Sequence, residues 1–172
     1  MSKIIVIGGS AAGAKAAARA KRMDESAKVT IIQKDPDLSM ATCGYPYYVG
    51  GVFDNRAALI SAPFGVVRDA DYFRTSKGVE ALVSTEATAI DTAKKVVRCR
   101  SVQGGEEREI PYDKLILAMG ANANIPPIPG REASGITTLT TMADTDYLRR
   151  IRDEKKVRQV VVVGGGLIGV EV

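Results

Sequence analysis

Lys3-Ile4-Ile5-Val6-Ile7-Gly8-Gly9-Ser10-Ala11-Ala12-Gly13 is the stretch that decides the fold, because it passes from strand through a glycine turn into a helix. Ile4 to Ile7 show no polar alternation, the pattern of a strand covered on both faces. Alanines dominate from Ala11 to about Met23, so a helix there can lie close against a sheet. Val29-Thr30-Ile31-Ile32 supplies the next strand. The three elements form a βαβ unit whose right-handed crossover makes the two strands parallel neighbours.

Working outward, residues 36–62 read as loop and short helix around Gly44, Gly50 and Gly51, and a helix is expected near 66–77. Val79 to Val83, Ala87 to Ile90, Lys95 to Arg100 and Arg108 to Ile110 read as short antiparallel strands, with a turn at Gln103-Gly104-Gly105. Leu115-Ile116-Leu117-Ala118 is another buried strand. Ile125-Pro126-Pro127-Ile128-Pro129-Gly130 is an extended connector that no helix can cross. A charged helix near Met142 to Asp153 follows. Val160 to Val163 then opens a second strand and glycine turn, Gly164-Gly165-Gly166-Leu167-Ile168-Gly169. The expected architecture is α/β: a Rossmann-like three-layer domain over residues 1–124 with an inserted antiparallel meander, then a connector and the start of a second dinucleotide-binding domain over 125–172. Only three residues follow the second turn, so the chain reads as a fragment of a longer protein.

Composition narrows the chemistry. At 172 residues with 45% hydrophobic and 26% charged content, the chain is globular in type. No apolar run approaches the ~20 residues of a membrane span, and Ile4 to Ile7 is too short for a signal-peptide core, so a cytoplasmic protein is expected. The net charge of +4 is shared evenly, with eleven basic against nine acidic residues up to Glu86 and thirteen against eleven after it. That balance argues against nucleic acid or a membrane as partner. There is no histidine, and two cysteines stand at 43 and 99, which excludes a disulfide framework, a zinc site and histidine catalysis within these residues. No metal is expected.

Helix-start N–H groups bind a pyrophosphate when the preceding turn lacks bulky side chains. Gly8, Ser10 and Gly13 occupy the three glycine positions of such a turn, with Ser10 in the middle; Gly164, Gly166 and Gly169 fit fully. Two such turns argue for two different dinucleotides. The acidic residue that would hold an adenosine ribose at the end of the second strand is replaced by Gln33, which still hydrogen-bonds hydroxyls but less strongly than a carboxylate. Lys15, Arg19 and Arg22 fall on one helix face, as either a site for an anionic ligand or a solvated surface. Cys43 precedes a short helix whose end would favour thiolate; it is either a nucleophile or a small buried hydrophobe. Cys99 reads as a packed strand residue.

Four markers, taken together, carry a resemblance: Ile5 to Gly13, Ser39-x-x-x-Cys43-Gly44-x-Pro46-Tyr47-Tyr48, Tyr112 to Gly120, and the proline-rich connector with Val160 to Glu171. The chain resembles the N-terminal part of the flavin-dependent pyridine nucleotide-disulfide oxidoreductases. It is most similar to their single-cysteine branch of coenzyme A disulfide reductases, coenzyme A persulfide and polysulfide reductases, and NADH oxidases and peroxidases. The departures are Met119 where that family has Thr, and Gln33 where it usually has Glu.

The resemblance implies FAD at the first turn, NAD(P)H at the second, and hydride passing through flavin to Cys43. It extends the flavin site from Gly8, Ser10 and Gly13 to Ala11, Ala12, Gln33, Lys34, Thr42, Ala87, Ala118, Met119 and Gly120. It turns the basic stripe of Lys15, Arg19 and Arg22, with Ser39 and Thr42, into a coenzyme A site, and places Tyr47 near the reacting sulfur as a hydrogen-bond donor. The dithiol branch has its second cysteine where this chain has Tyr48, so Cys43 must cycle through a mixed disulfide, a persulfide or a sulfenic acid. The oxidases and peroxidases carry a histidine where this chain has Ala11, which disfavours peroxide chemistry. The expected function is therefore reduction of coenzyme A disulfide or persulfide. The alternatives are an NADH oxidase or peroxidase, or a flavin electron-transfer reductase that does not need Cys43. A homodimer is implied for the longer parent, while residues 1–172 alone are expected to bind FAD weakly and not to oxidise NAD(P)H.

Overall fold

The computed structural model describes residues 1–105 and 107–172. They divide into two compact units, 1–40 with 60–120, and 41–59 with 121–172.

In the first unit, β1 (Lys3–Ile7) leads into α1 (Ala11–Met23) and β2 (Lys28–Ile32); α3 (Ala70–Lys77) precedes β3 (Glu80–Leu82), and β7 (Lys114–Leu117) closes a sheet of order β3-β2-β1-β7. All its pairings are parallel: Ile5 sits opposite Thr30 and Leu115, and Ile31 opposite Ala81. β4 (Thr85–Asp91), β5 (Val96–Ser101) and β6 (Arg108–Pro111) form a separate antiparallel sheet, with a bulge between Ala87 and Ala89.

The unbroken apolar run of β1 is explained by its two partners. Ile4 and Val6 face a cluster with Ala14 and Ala17 of α1, Val29, Ile31, Leu38, Phe73 and Val79. Ile5 and Ile7 face the opposite way, onto Ile32 with Val97 and Cys99 of the meander. Helices, parallel sheet and antiparallel sheet are thus three layers with β1 in the middle one. Asp69 caps α3 by accepting the Tyr72 N–H at 2.8 Å, and Gly78, at φ 63°, ends it. The Lys21 ammonium donates to the Glu25 and Ala27 carbonyls at 2.6 and 2.8 Å, fastening the exit of α1.

The second unit holds α2 (Tyr45–Gly50), α4 (Met142–Asp153) and the one-turn α5 (Leu167–Glu171). Thr141 and Asp144 form a reciprocal capping box at the start of α4. The Arg56 Nε donates to Asp146 at 2.9 Å, tying residues 41–59 to α4.

The structure differs from the sequence reading in four places, the first being β7, read as buried, in which Leu117 is 55% exposed and no residue is fully buried. The strand expected from Val79 to Val83 is β3, and it is parallel and belongs to the main sheet, because α3 supplies the crossover that a parallel return needs. The helix expected from residue 66 starts at Ala70, after the Asp69 cap. Val160 to Val163 is not a strand: among the described residues it has no ladder partner, and all four side chains are exposed. The glycine turn after it forms nonetheless.

Candidate functional site

At the first turn, Gly8 adopts φ 97°, a conformation only glycine takes freely. A Cβ there would overlap the Ala118 carbonyl, and one on Gly13 would overlap the Gly8 carbonyl oxygen. The chain therefore folds back onto itself so tightly that Ala11 and Ala12 stand exposed at the mouth of α1. Ser10, the N-cap, makes no side-chain cap, so the thirteen-residue helix keeps its leading N–H groups and positive dipole end for another acceptor. An uncapped helix start behind a turn stripped of side chains fits a dinucleotide pyrophosphate.

Gly9 is held from both sides. Its N–H donates to Gln33 Oε1 at 2.6 Å, and its carbonyl accepts the Ser39 N–H at 2.8 Å. Gln33 is buried, and its Nε2 donates to Asp35 Oδ2 at 3.2 Å, so the carboxamide links the turn to Asp35. Lys34 is exposed and paired with Glu86 at 2.9 Å. Its hydrogen bond lowers the Glu86 carboxyl below the ordinary value and raises the Lys34 ammonium above its own. Ala87 is half-buried beside the bulge, Ala118 is half-buried, and Met119 and Gly120 are exposed at the end of β7. Lys15, Arg19 and Arg22 are all exposed along one face of α1. Ser39 is half-buried with φ 53°.

In the second unit, Cys43 lies in the 3-10 turn Thr42–Gly44, ahead of α2 with Pro46 in its first turn. Cys43 is exposed, which removes the reading of it as a buried hydrophobe, whereas Cys99 is fully buried in β5. Thr42 is exposed and Tyr47 is 51% exposed on the same segment. Tyr48 is buried with its ring 5.8 Å from that of Phe53 and 5.1 Å from the Arg149 guanidinium.

The second glycine turn repeats the first. Gly164 has φ 116°, Gly166 caps α5, and a Cβ on Gly169, five residues after Gly164, would overlap the Gly164 carbonyl oxygen just as Gly13 meets Gly8. Gly165 and Gly166 have nothing within 4 Å of an added Cβ.

Sequence reasoning did not single out Asp35 or Arg149, which the structure places against Gln33 and against residues 48–54. Asp35 stands two residues beyond the expected position, and a carboxylate so near the end of β2 was its only signal. Arg149 reaches two backbone carbonyls as well as Asp54 and Asp153, and contacts with backbone carbonyls leave no trace in a sequence.

Residues 2–172 match the family described as pyridine nucleotide-disulphide oxidoreductase. The chain belongs to that family. Among its relatives, a coenzyme A disulfide reductase of Staphylococcus haemolyticus is 36% identical over 172 residues, all of this chain and 37% of the relative's length. An NAD-dependent persulfide reductase from A. fulgidus superposes with a TM-score of 0.92 at 40% identity, covering 98% of this chain and 31% of that one. The reduced CoADR-RHD of Bacillus anthracis follows with a TM-score of 0.91 at 37% identity, covering 99% and 30%. The chain thus spans a little over a third of the length of the curated relative it matches. Among the described residues no helix is long and apolar enough to cross a membrane, and no cluster of three metal-ligating side chains occurs.

Proposed function

We propose that the protein is an FAD-containing, NAD(P)H-dependent reductase of coenzyme A disulfide, or of coenzyme A persulfide and related polysulfides, working through Cys43 alone. The observation that carries this reading is a single exposed thiol with a buried tyrosine at the position of the second cysteine. Relatives at 36–40% identity that are coenzyme A disulfide and persulfide reductases support the substrate class.

In this reading Gly8, Ser10, Ala11, Ala12 and Gly13 receive the FAD pyrophosphate, with Lys34, Thr42, Ala87, Ala118, Met119 and Gly120 around the rest of the cofactor. Gly164, Gly166 and Gly169 receive the nicotinamide dinucleotide. FAD, when bound, passes the electron pair of NAD(P)H to sulfur. Lys15, Arg19 and Arg22 offer three cations to the phosphates of coenzyme A, and Ser39 and Thr42 offer hydroxyls to its pantetheine arm.

The Cys43 thiolate attacks one sulfur of the substrate disulfide, the S–S bond breaks, and one coenzyme A leaves as thiolate. Cys43 is then joined to the second coenzyme A, and two electrons and a proton cleave that mixed disulfide to thiol and Cys43 thiolate. With a persulfide, attack on the outer sulfur releases coenzyme A thiolate and leaves a Cys43 persulfide, which two electrons reduce to hydrosulfide. Tyr47 donates a hydrogen bond toward the departing sulfur. The division at 124/125 then separates the flavin part from the connector and nicotinamide part, and the intact enzyme is a cytoplasmic homodimer.

The test is Cys43→Ser in the intact protein. FAD content should stay at the wild-type level while turnover of both coenzyme A disulfide and coenzyme A persulfide disappears. Turnover retained with either substrate sinks the role given to Cys43.

A further inference from the structure

We infer that Asp35, and not Gln33, is the residue that recognises the adenosine ribose of the bound dinucleotide, with Gln33 acting as a positioning residue between it and the glycine turn. The inference rests on the reading of the first turn as the flavin site.

A dinucleotide fold needs a hydrogen-bond acceptor at the end of its second strand to hold the ribose diol, and a carboxylate accepts from hydroxyls more strongly than an amide. Here that end is Gln33, buried at 6% exposure, and both ends of its carboxamide are engaged within the protein. Oε1 takes the Gly9 N–H at 2.6 Å and Nε2 gives a hydrogen to Asp35 Oδ2 at 3.2 Å. The chain Gly9, Gln33, Asp35 therefore runs from the pyrophosphate turn outward to a carboxylate.

Asp35 is half-buried and its backbone is fixed. Its carbonyl accepts the Ser84 N–H at 3.2 Å, while Gln33 is pinned between the Leu82 carbonyl and the Thr85 N–H, each at 2.9 Å. With its backbone fixed and one oxygen accepting from Gln33, the carboxylate has less freedom to lose when a ligand arrives, which lowers the ordering cost of binding. The Gln33 amide also fixes which Asp35 oxygen faces the turn. A glutamate at 33 would reverse this pattern: it would still accept the Gly9 N–H, yet it would set a second negative charge against Asp35 where the amide now donates. Gln33 and Asp35 are thus complementary as a donor and an acceptor.

The experiment compares FAD, FMN and FAD carrying 2′-deoxyadenosine, titrated by flavin fluorescence against the intact protein stripped of flavin. FMN lacks the adenosine ribose and reports everything else at the site. For Asp35→Ala, affinity for FAD should fall about tenfold while that for FMN stays at the wild-type value. The wild type should discriminate about tenfold against the 2′-deoxy analogue, and Asp35→Ala should not discriminate. An FAD to FMN affinity ratio that Asp35→Ala leaves unchanged, or discrimination against the 2′-deoxy analogue that survives the substitution, overturns the inference, including where the variant binds all flavins less well. A wild-type protein that binds no FAD instead sinks the flavin reading of the first turn.

Discussion

Arg149 Nη1 donates to the Tyr48 carbonyl at 2.8 Å and to the Phe53 carbonyl at 3.1 Å, joining α4 to a segment about a hundred residues earlier in the chain. The same guanidinium pairs with Asp54, and its Nε donates to Asp153 at 2.7 Å. The Asp153 and Asp54 carboxylates raise the Arg149 pKa, and the Arg149 hydrogen bond in turn lowers the Asp54 carboxyl below the ordinary carboxylate range. Replacing Arg149 by Ala should release residues 45–54, seen as several-fold faster backbone hydrogen exchange there with the first unit unaffected. Arg149→Lys should recover little of the loss, because an ammonium cannot supply the planar fork that reaches two carbonyls and two carboxylates at once. Equal exchange in wild type and Arg149→Ala would remove the clamp from the account.

The α4 cap gives a pH test. Asp144 Oδ2 accepts from Thr138 Oγ1 and Thr140 N–H at 2.9 Å each and from Thr141 N–H at 3.1 Å. Partial burial pushes this carboxyl up, but those donors together outweigh it and leave it below its ordinary value. A depressed carboxylate adds stability that is complete above the unfolded-state value and is lost as pH falls through the folded one. Protection factors of the α4 amides, taken relative to the intrinsic exchange rate at each pH, should therefore fall on acidification in the wild type and lose that component in Asp144→Asn. Thr141→Ala, which removes the reciprocal half of the box, should cost about 1 kcal/mol at neutral pH.

Two glycines should answer oppositely to alanine. Gly13→Ala drives a Cβ into the Gly8 carbonyl, so the turn must open; thermal unfolding should report a loss of about 3 kcal/mol, accompanied by loss of dinucleotide binding. Gly50, in α2, has nothing within 4 Å of an added Cβ, and Gly50→Ala should be neutral or stabilising by about 0.5 kcal/mol. Matching losses at both positions would mean that the backbone overlap at Gly13 is relieved without effort.

Thiol accessibility supplies a fourth test. Iodoacetamide should modify one cysteine per chain under native conditions, Cys43, and reach Cys99 only after unfolding, as mass spectrometry of tryptic peptides would read. Comparable native labelling of Cys99 would contradict its place in the packed layer beneath β1.

The parts of the fold legible in the sequence are those where local and tertiary signals agree. α1 spans Ala11–Met23 and α4 spans Met142–Asp153 as the sequence reads them, and the structure adds the Thr141–Asp144 box that starts α4. β3 was misplaced because three residues, Glu80-Ala81-Leu82, carry no period, and its orientation comes from the α3 crossover and not from its own side chains. Val160 to Val163 has the composition of a strand, but strand formation depends on a neighbour that composition does not reveal. At the site, the glycine spacing and the cysteine motif were legible. The use of Gln33 was not, because its partner is a backbone N–H 24 residues away.

The middle position of β1 sets a mutational signature. A strand with one wet side tolerates change at every second residue; Ile4, Ile5, Val6 and Ile7 have no such permissive side, since each successive residue plugs a different seam. Saturation of these four codons should yield an unbroken block of intolerance, while Glu86, Thr88 and Arg98 on the outer sheet accept substitution far more readily. The first strand is in effect a rivet through all three layers.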